Sequence, residues 1–198
     1  MLAKTLPHYL VYLVLAGMGL LGSVACTEAQ KKPVKVFTPS PNAVAPVAAP
    51  DPDTLRVEDD FALAPFLLDS ISFVGVQRLM GKNIHIQKDP TRNHFVANQI
   101  DTLITVKQSN SSITLYAVSS EAKCFFKEAT IKDPLPIFQN AIKIGQRKSQ
   151  VKELVPALRK EHYLPDNIEI AAGEGGDYLY LIFKNDVLLR VEYRPYLD

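Results

Sequence analysis

The amino-acid sequence predicts an α+β protein in which short helices cover one face of an antiparallel sheet. Three observations favour this fold class: segments that alternate apolar and polar residues, two short stretches of helical periodicity, and a change of composition near residue 55. Residues 55–198 form a module long enough to bury one sizeable core.

Residues 1–25 have the features of a secretory signal peptide. Lys4 precedes an apolar run over residues 10–21, and small residues stand directly before Cys26. Ser23-Val24-Ala25-Cys26 resembles the lipobox of bacterial lipoproteins, although that pattern favours Leu where Ser23 stands. A lipoprotein signal peptidase would therefore cut before Cys26 and leave it acylated.

Two other fates of this segment remain open from sequence. An ordinary signal peptidase would recognise Ser23 and Ala25 and leave Cys26 as a plain thiol. An uncut membrane anchor is disfavoured by the shortness of the apolar run and by the lysines that follow it. We expect an exported protein, held in the bacterial cell envelope by lipid on Cys26, on the periplasmic or cell-surface side.

Residues 26–54 form a proline- and alanine-rich tether. Six prolines and a single aromatic residue, Phe37, stand between residues 27 and 54. Such a composition buries too little apolar surface to offset the entropy of ordering, so we expect an extended spacer and a protease-resistant fragment that starts near residue 55. Cys124 is the only other cysteine, and its neighbours Phe125 and Phe126 favour a buried thiol.

The predicted sheet contains four principal strands. They cover residues 113–120, 123–131, 177–183 and 187–193, and further strands are expected at 99–108 and 167–172. Asn185-Asp186 tolerates the positive φ of a tight hairpin turn.

Two short helices are expected beside these strands. One covers residues 76–81 and ends at Gly81; the other covers 148–155, with Pro156 ending it. Val151, Leu154, Val155 and Leu158 would form one apolar stripe that packs on the sheet. A helix followed by three strands occurs twice, which predicts tandem repeats at 65–133 and 134–198.

The second unit resembles the repeat of β-lactamase inhibitor proteins and of the small lipoprotein of the outer-membrane β-barrel assembly machine. The residues that carry the resemblance are Gly145, Gln146, Val151, Leu154, Phe183, Asn185, Asp186, Leu188 and Val191. The chain departs from the pattern at Gln146, usually apolar, at Arg147, where a capping Ser is expected, and in lacking the inhibitors' disulfides. The resemblance implies helices on an antiparallel sheet and a protein-binding role, without catalytic residues.

Two classes of function follow from these observations. The first is a non-catalytic envelope module that binds another envelope protein through an aromatic sheet surface, with candidates Tyr116, Tyr178, Tyr180, Tyr193 and Tyr196. The second is a small secreted or periplasmic hydrolase-like enzyme with a site near His94, Asp89 and Asp101.

Cofactors and nucleic acid are not expected from composition or motifs. No metal-ligand spacing or nucleotide motif occurs, and His85 between Ile84 and Ile86 reads as a solvent-facing strand residue. Residues 26–198 carry 21 basic and 21 acidic side chains, a balance that gives no electrostatic footprint for nucleic acid. We therefore expect no catalytic, cofactor-binding or metal-binding residues.

Overall fold

A computed structural model describes residues 53–93, 95–173 and 176–196. The predicted signal peptide, Cys26 and the tether up to residue 52 lie outside the described residues. The described chain contains eight strands: β1 Thr54–Glu58, β2 His85–Arg92, β3 Ile100–Gln108, β4 Ser111–Val118, β5 Lys123–Ile131, β6 Asn167–Ala171, β7 Tyr178–Lys184 and β8 Val187–Arg194. The helices are α1 Phe73–Met80, α2 Lys148–Leu154 and two 3₁₀ helices, Asp60–Ala62 and Pro156–Lys160.

All eight strands form one mixed sheet in the order β1-β6-β7-β8-β5-β4-β3-β2. Strands β2 to β8 pair antiparallel, as the sequence predicts. The prediction of a wholly antiparallel sheet is wrong at one edge, where β1 pairs parallel with β6. This pair joins segments far apart along the chain, so no local pattern of residues predicts it.

The two α-helices begin and end at identifiable residues. Ser72 Oγ accepts a hydrogen bond of 3.1 Å from the Gly75 amide at the start of α1, and Gly81 with φ 84° ends that helix. At the start of α2, Gln150 Oε1 accepts a bond of 2.9 Å from the Arg147 amide. Pro156 follows the last turn of α2 and starts a 3₁₀ helix, so both predicted helix ends are confirmed.

The apolar stripe predicted for α2 is only partly correct. Val151, Val155 and Leu158 are fully buried, whereas Leu154 is half-buried. The stripe assumed a continuous helix, but Val155 has φ −110° and ψ 110°, which is extended backbone. The change of backbone direction there turns Leu154 partly outward and carries Leu158 back into the core on the 3₁₀ helix.

Two β-hairpins in the sheet contain a bulge. Lys127 is the extra residue between β4 and β5, and Leu189 is the extra residue between β7 and β8. The turn before the second bulge has φ 51° at Asn185 and 66° at Asp186, as predicted for a tight hairpin. Each bulge shifts the alternation of side chains by one residue.

Candidate binding face and groove

The sheet has one face covered by the core and one open face. Along β7, Leu179, Leu181 and Phe183 are at most 3% exposed and join a core that also contains Val76 and Val151 of the two α-helices. The intervening side chains of β7 point to the other side, because successive strand residues face opposite ways. We call that other side, which continues across β3, β4, β5 and β8, the open face.

Three of the five candidate tyrosines lie on the open face. Tyr178 and Tyr180 occupy it on β7, and Tyr116 occupies it on β4. Tyr178 is 37% exposed, and Tyr180 and Tyr116 are partly covered by their neighbours. Tyr196 follows the end of β8 and is 64% exposed.

The inclusion of Tyr193 in this surface is wrong. Cross-strand pairing places Glu192 opposite Tyr180, so Tyr193 points to the covered side and is 3% exposed. Its ring packs edge-on against Phe66 and Phe126, and its hydroxyl donates a 3.1 Å hydrogen bond to Asp177. Burial, together with the Asp177 carboxylate, raises the pKa of Tyr193 well above its ordinary value.

Tyrosine and arginine side chains cluster on the β7–β8 half of the open face. Tyr178 and Tyr180 stack with ring centroids 6.4 Å apart, and the Arg194 guanidinium lies 5.2 Å from the Tyr180 ring. Glu192 lies 2.8 Å from Arg194 and 3.0 Å from Arg190. This tyrosine–arginine cluster contains two residue types, Tyr and Arg, that are enriched at protein interfaces.

The β3–β5 half of the open face contains a groove of about 680 Å³. Leu103, Tyr116 and Phe125 lie side by side on adjacent strands and form its floor. The loop between β2 and β3 supplies one wall through Phe95 and Val96. The other groove-lining residues are Thr91, Asn93, Gln99, Val118, Ser120, Glu121, Lys127 and Tyr196.

A buried carboxylate, Asp101, holds the parts of the groove together. Tyr116 and Asn93 donate hydrogen bonds of 2.5 and 2.7 Å to one of its oxygens. Gln99 and both the amide and the hydroxyl of Ser119 donate to the other oxygen at 2.8 to 3.0 Å. Asp101 therefore links the floor, the loop wall and the turn that follows β4.

These contacts decide the ionisation of Asp101 and Tyr116. Burial of Asp101 raises its pKa, but the hydrogen bonds from Tyr116, Ser119, Gln99 and Asn93 favour the carboxylate and leave the pKa well below its ordinary value. The bond to Asp101 in turn raises the pKa of Tyr116 to about 12. Asp101 is thus a saturated anion beneath the groove, with its hydrogen-bonding capacity already used.

Sequence reasoning did not identify the groove. Phe125 is 40% exposed and shares the open face with Tyr116, while Phe126 is buried. Only the register of β5 against β4 decides which of these two phenylalanines faces the groove. Phe95 comes from a loop without periodicity. The prediction of a buried Cys124 is partly correct, since its thiol is free and half-buried against the core.

Two of the three residues considered for an enzymatic site, Asp89 and Asp101, lie among the described residues. His85 is exposed on β2, as predicted, and Asp89 accepts a hydrogen bond from Gln87 at the surface. Asp101 is fully buried, and His94 lies outside the described residues. Among residues 53–93, 95–173 and 176–196, no group of three or more His, Cys, Asp or Glu side chains is arranged to hold a metal ion.

Comparison with protein-family models, with curated proteins and with solved structures finds no match to the chain. Within the described part of the chain, none of the helices has the length and apolar character needed to span a membrane.

Proposed function

We propose that the protein is a bacterial cell-envelope lipoprotein whose module binds another envelope protein through the open face. The observation that carries this proposal is the tyrosine–arginine cluster, which lies on the face of the sheet opposite to the helices of the described residues. Exposed aromatic rings beside arginines provide contact area at a low cost in side-chain entropy. The lipid on Cys26 would hold this face near its partner in the envelope.

We also propose that the module is a tandem duplication, as the similarity between the helix-and-strand segments of residues 65–133 and 134–198 suggests. The matching bulges support it: aligning Lys127 with Leu189 equates Ala129 with Val191 and Ile131 with Tyr193. Strands β5 and β8 then pair symmetrically, since Ala129 lies opposite Tyr193 and Ile131 lies opposite Val191. This is the pairing that two equivalent units related by a two-fold axis would make.

The open face can be tested by photo-crosslinking in intact cells. A photoreactive phenylalanine analogue is placed at Tyr178 in the full chain, and the same analogue at Tyr163 serves as the control. Tyr163 is 77% exposed but lies in the loop before β6, away from the cluster. We expect a discrete adduct with one envelope protein from position 178 only, and its yield should fall when Arg194 is changed to Ala. Equal adducts from both positions, or none from 178, would refute the binding role.

Anchoring is tested separately by mass spectrometry of the mature N-terminus. We expect Cys26 to be the first residue and to carry two or three acyl chains. A single chain would anchor the protein only marginally, whereas two or three hold it firmly. Cys26→Ala should move the protein from the membrane to the soluble fraction. An unmodified Cys26, or equal solubility of wild type and variant, would contradict the proposal.

A further inference from the structure

We propose that the groove on the β3–β5 half of the open face binds a long-chain fatty acid, with the carboxylate at Lys127 and the tail along the aromatic floor. This site goes beyond the proposed protein-binding role, which concerns the tyrosine–arginine cluster on β7 and β8. The inference rests on the groove's apolar surface, on the internal use of its polar groups, and on one unpaired cation.

The groove exposes more apolar surface than a solvated sheet face requires. Phe95 is 76% exposed, Val96 is 50% exposed and Phe125 is 40% exposed, and all three line the same depression together with Leu103. Contiguous apolar patches of this kind mark binding sites in soluble proteins. A volume of about 680 Å³ falls within the range of small-molecule pockets.

At least half of the eight polar side chains that line the groove, namely Asn93, Gln99, Tyr116 and Glu121, are already bonded within the protein. Asn93, Gln99 and Tyr116 donate to Asp101, and Asn93 Oδ1 accepts from the amides of Phe95 and Val96. A ligand that needs many hydrogen bonds, such as a sugar, would find few partners here. The ligand favoured by this lining is mainly apolar.

The strand pairing of the groove floor disfavours an extended peptide as the ligand. Peptides that bind on sheets add to a free strand edge and use its main-chain hydrogen bonds. The groove floor is formed by β3, β4 and β5, and each of these strands is paired on both sides. The floor therefore offers side-chain surface but no free strand edge.

Lys127 supplies the remaining recognition element. It is the bulged residue of β5, which sets its side chain apart from the regular alternation, and it lines the groove. Glu121, another charged lining residue, is paired with Lys123 at 2.7 Å. Among the described residues Lys127 forms no ion pair, not even with the adjacent Glu128.

The buried anion determines the orientation of the ligand. Asp101 lies toward one end of the floor, past Leu103, whereas Lys127 lies toward the other end, past Phe125. A carboxylate would be repelled by Asp101 and attracted by Lys127. The head group is therefore placed at Lys127 and the alkyl chain extends over Leu103 and Phe125 toward Phe95.

Displacement of a fluorescent polyene fatty acid from the full chain carrying Cys26→Ser tests this site. The substitution removes any attached lipid that would compete for the groove. Saturated carboxylates of 10 to 14 carbons should displace the probe with affinities that rise about fourfold per added methylene, the increment expected from burial of one such group. The methyl ester of the longest acid should bind about three- to tenfold more weakly than the acid.

Matched variants locate the site. Lys127→Gln should weaken binding of the acid about three- to tenfold and leave the ester unaffected, while Lys184→Gln, an exposed lysine at the end of β7, should change neither. Phe125→Ser should weaken both ligands, whereas Leu189→Ser, which is 46% exposed on β8 in the wild type, should weaken neither. Absence of binding, equal affinity for acid and ester, or equal effects of Lys127→Gln and Lys184→Gln would overturn the proposal.

Discussion

The change of backbone direction after α2 makes a quantitative prediction about two leucines. Leu158→Ala and Leu154→Ala remove the same three carbons, but Leu158 is fully buried and Leu154 is half-buried. At about 0.8 kcal/mol for each buried carbon, the transfer cost is about 2.4 kcal/mol at Leu158. A residual cavity of about 50 Å³ would add about 1.2 kcal/mol, at about 24 cal/mol per Å³.

We therefore expect Leu158→Ala to lower the free energy of unfolding by about 3 to 5 kcal/mol and Leu154→Ala by about 1 kcal/mol. At Leu154 only about half of the transfer term applies, and an open surface leaves no enclosed cavity. For a domain of this size, each kcal/mol lowers the melting temperature by about 2 to 4 °C, so the two variants should melt at clearly different temperatures.

Urea unfolding followed by far-UV circular dichroism measures both values. Tyrosine fluorescence provides a second probe, because the chain has 8 tyrosines and no tryptophan. The comparison requires that the dependence on urea be the same in wild type and variants. Equal losses of unfolding free energy for the two variants, or a larger loss for Leu154→Ala, would contradict the end of α2 at Leu154. Such a result would favour the continuous apolar stripe predicted from sequence.

Further substitutions test the helix ends and the buried carboxylate. Arg147→Ser would complete a capping box with Gln150 and should raise the free energy of unfolding by about 0.5 to 1 kcal/mol, whereas Ser72→Ala should lower it by about 1 kcal/mol; urea titration measures both. Gly81→Ala places a side chain at φ 84° and should lower the free energy of unfolding by about 1 to 3 kcal/mol, which a lower melting temperature would reveal. Because the folded pKa of Asp101 lies below its unfolded value of about 3.9, its ionised form stabilises the fold above that pH and loses this effect as the pH falls through the folded pKa. In the Asp101→Asn variant, the free energy of unfolding should therefore fall less steeply below about pH 4 than in wild type. An equally steep fall would contradict this role of Asp101.

Six of the eight strands, β3 to β8, and both helix ends were predictable because their signals are local, whereas the range of β2 and the existence of β1 were not predicted. Period-two alternation identified the hairpins, and Gly81, Pro156 and Asn185-Asp186 set backbone angles that other residues adopt at a cost. The bulge at Lys127 was not predictable, since a bulge depends on how two strands align and not on the residues of either one. Consequently, which residues of β5 reach the open face could not be read from alternation alone.

The sequence by itself determined the α+β class, the order of the hairpins and the positions where helices stop; export and a proline-rich tether stay predictions from sequence. Each of these depends on the preferences of single residues or on short periodic patterns. The tertiary structure decided that β1 joins the sheet in parallel, that Tyr193 belongs to the core, and that Phe95, Phe125 and Lys127 meet around one groove. Those outcomes arise from strand pairing and loop placement between segments that are distant along the chain. The buried Asp101 carboxylate joins the loop wall to the groove floor through hydrogen bonds that no local pattern specifies.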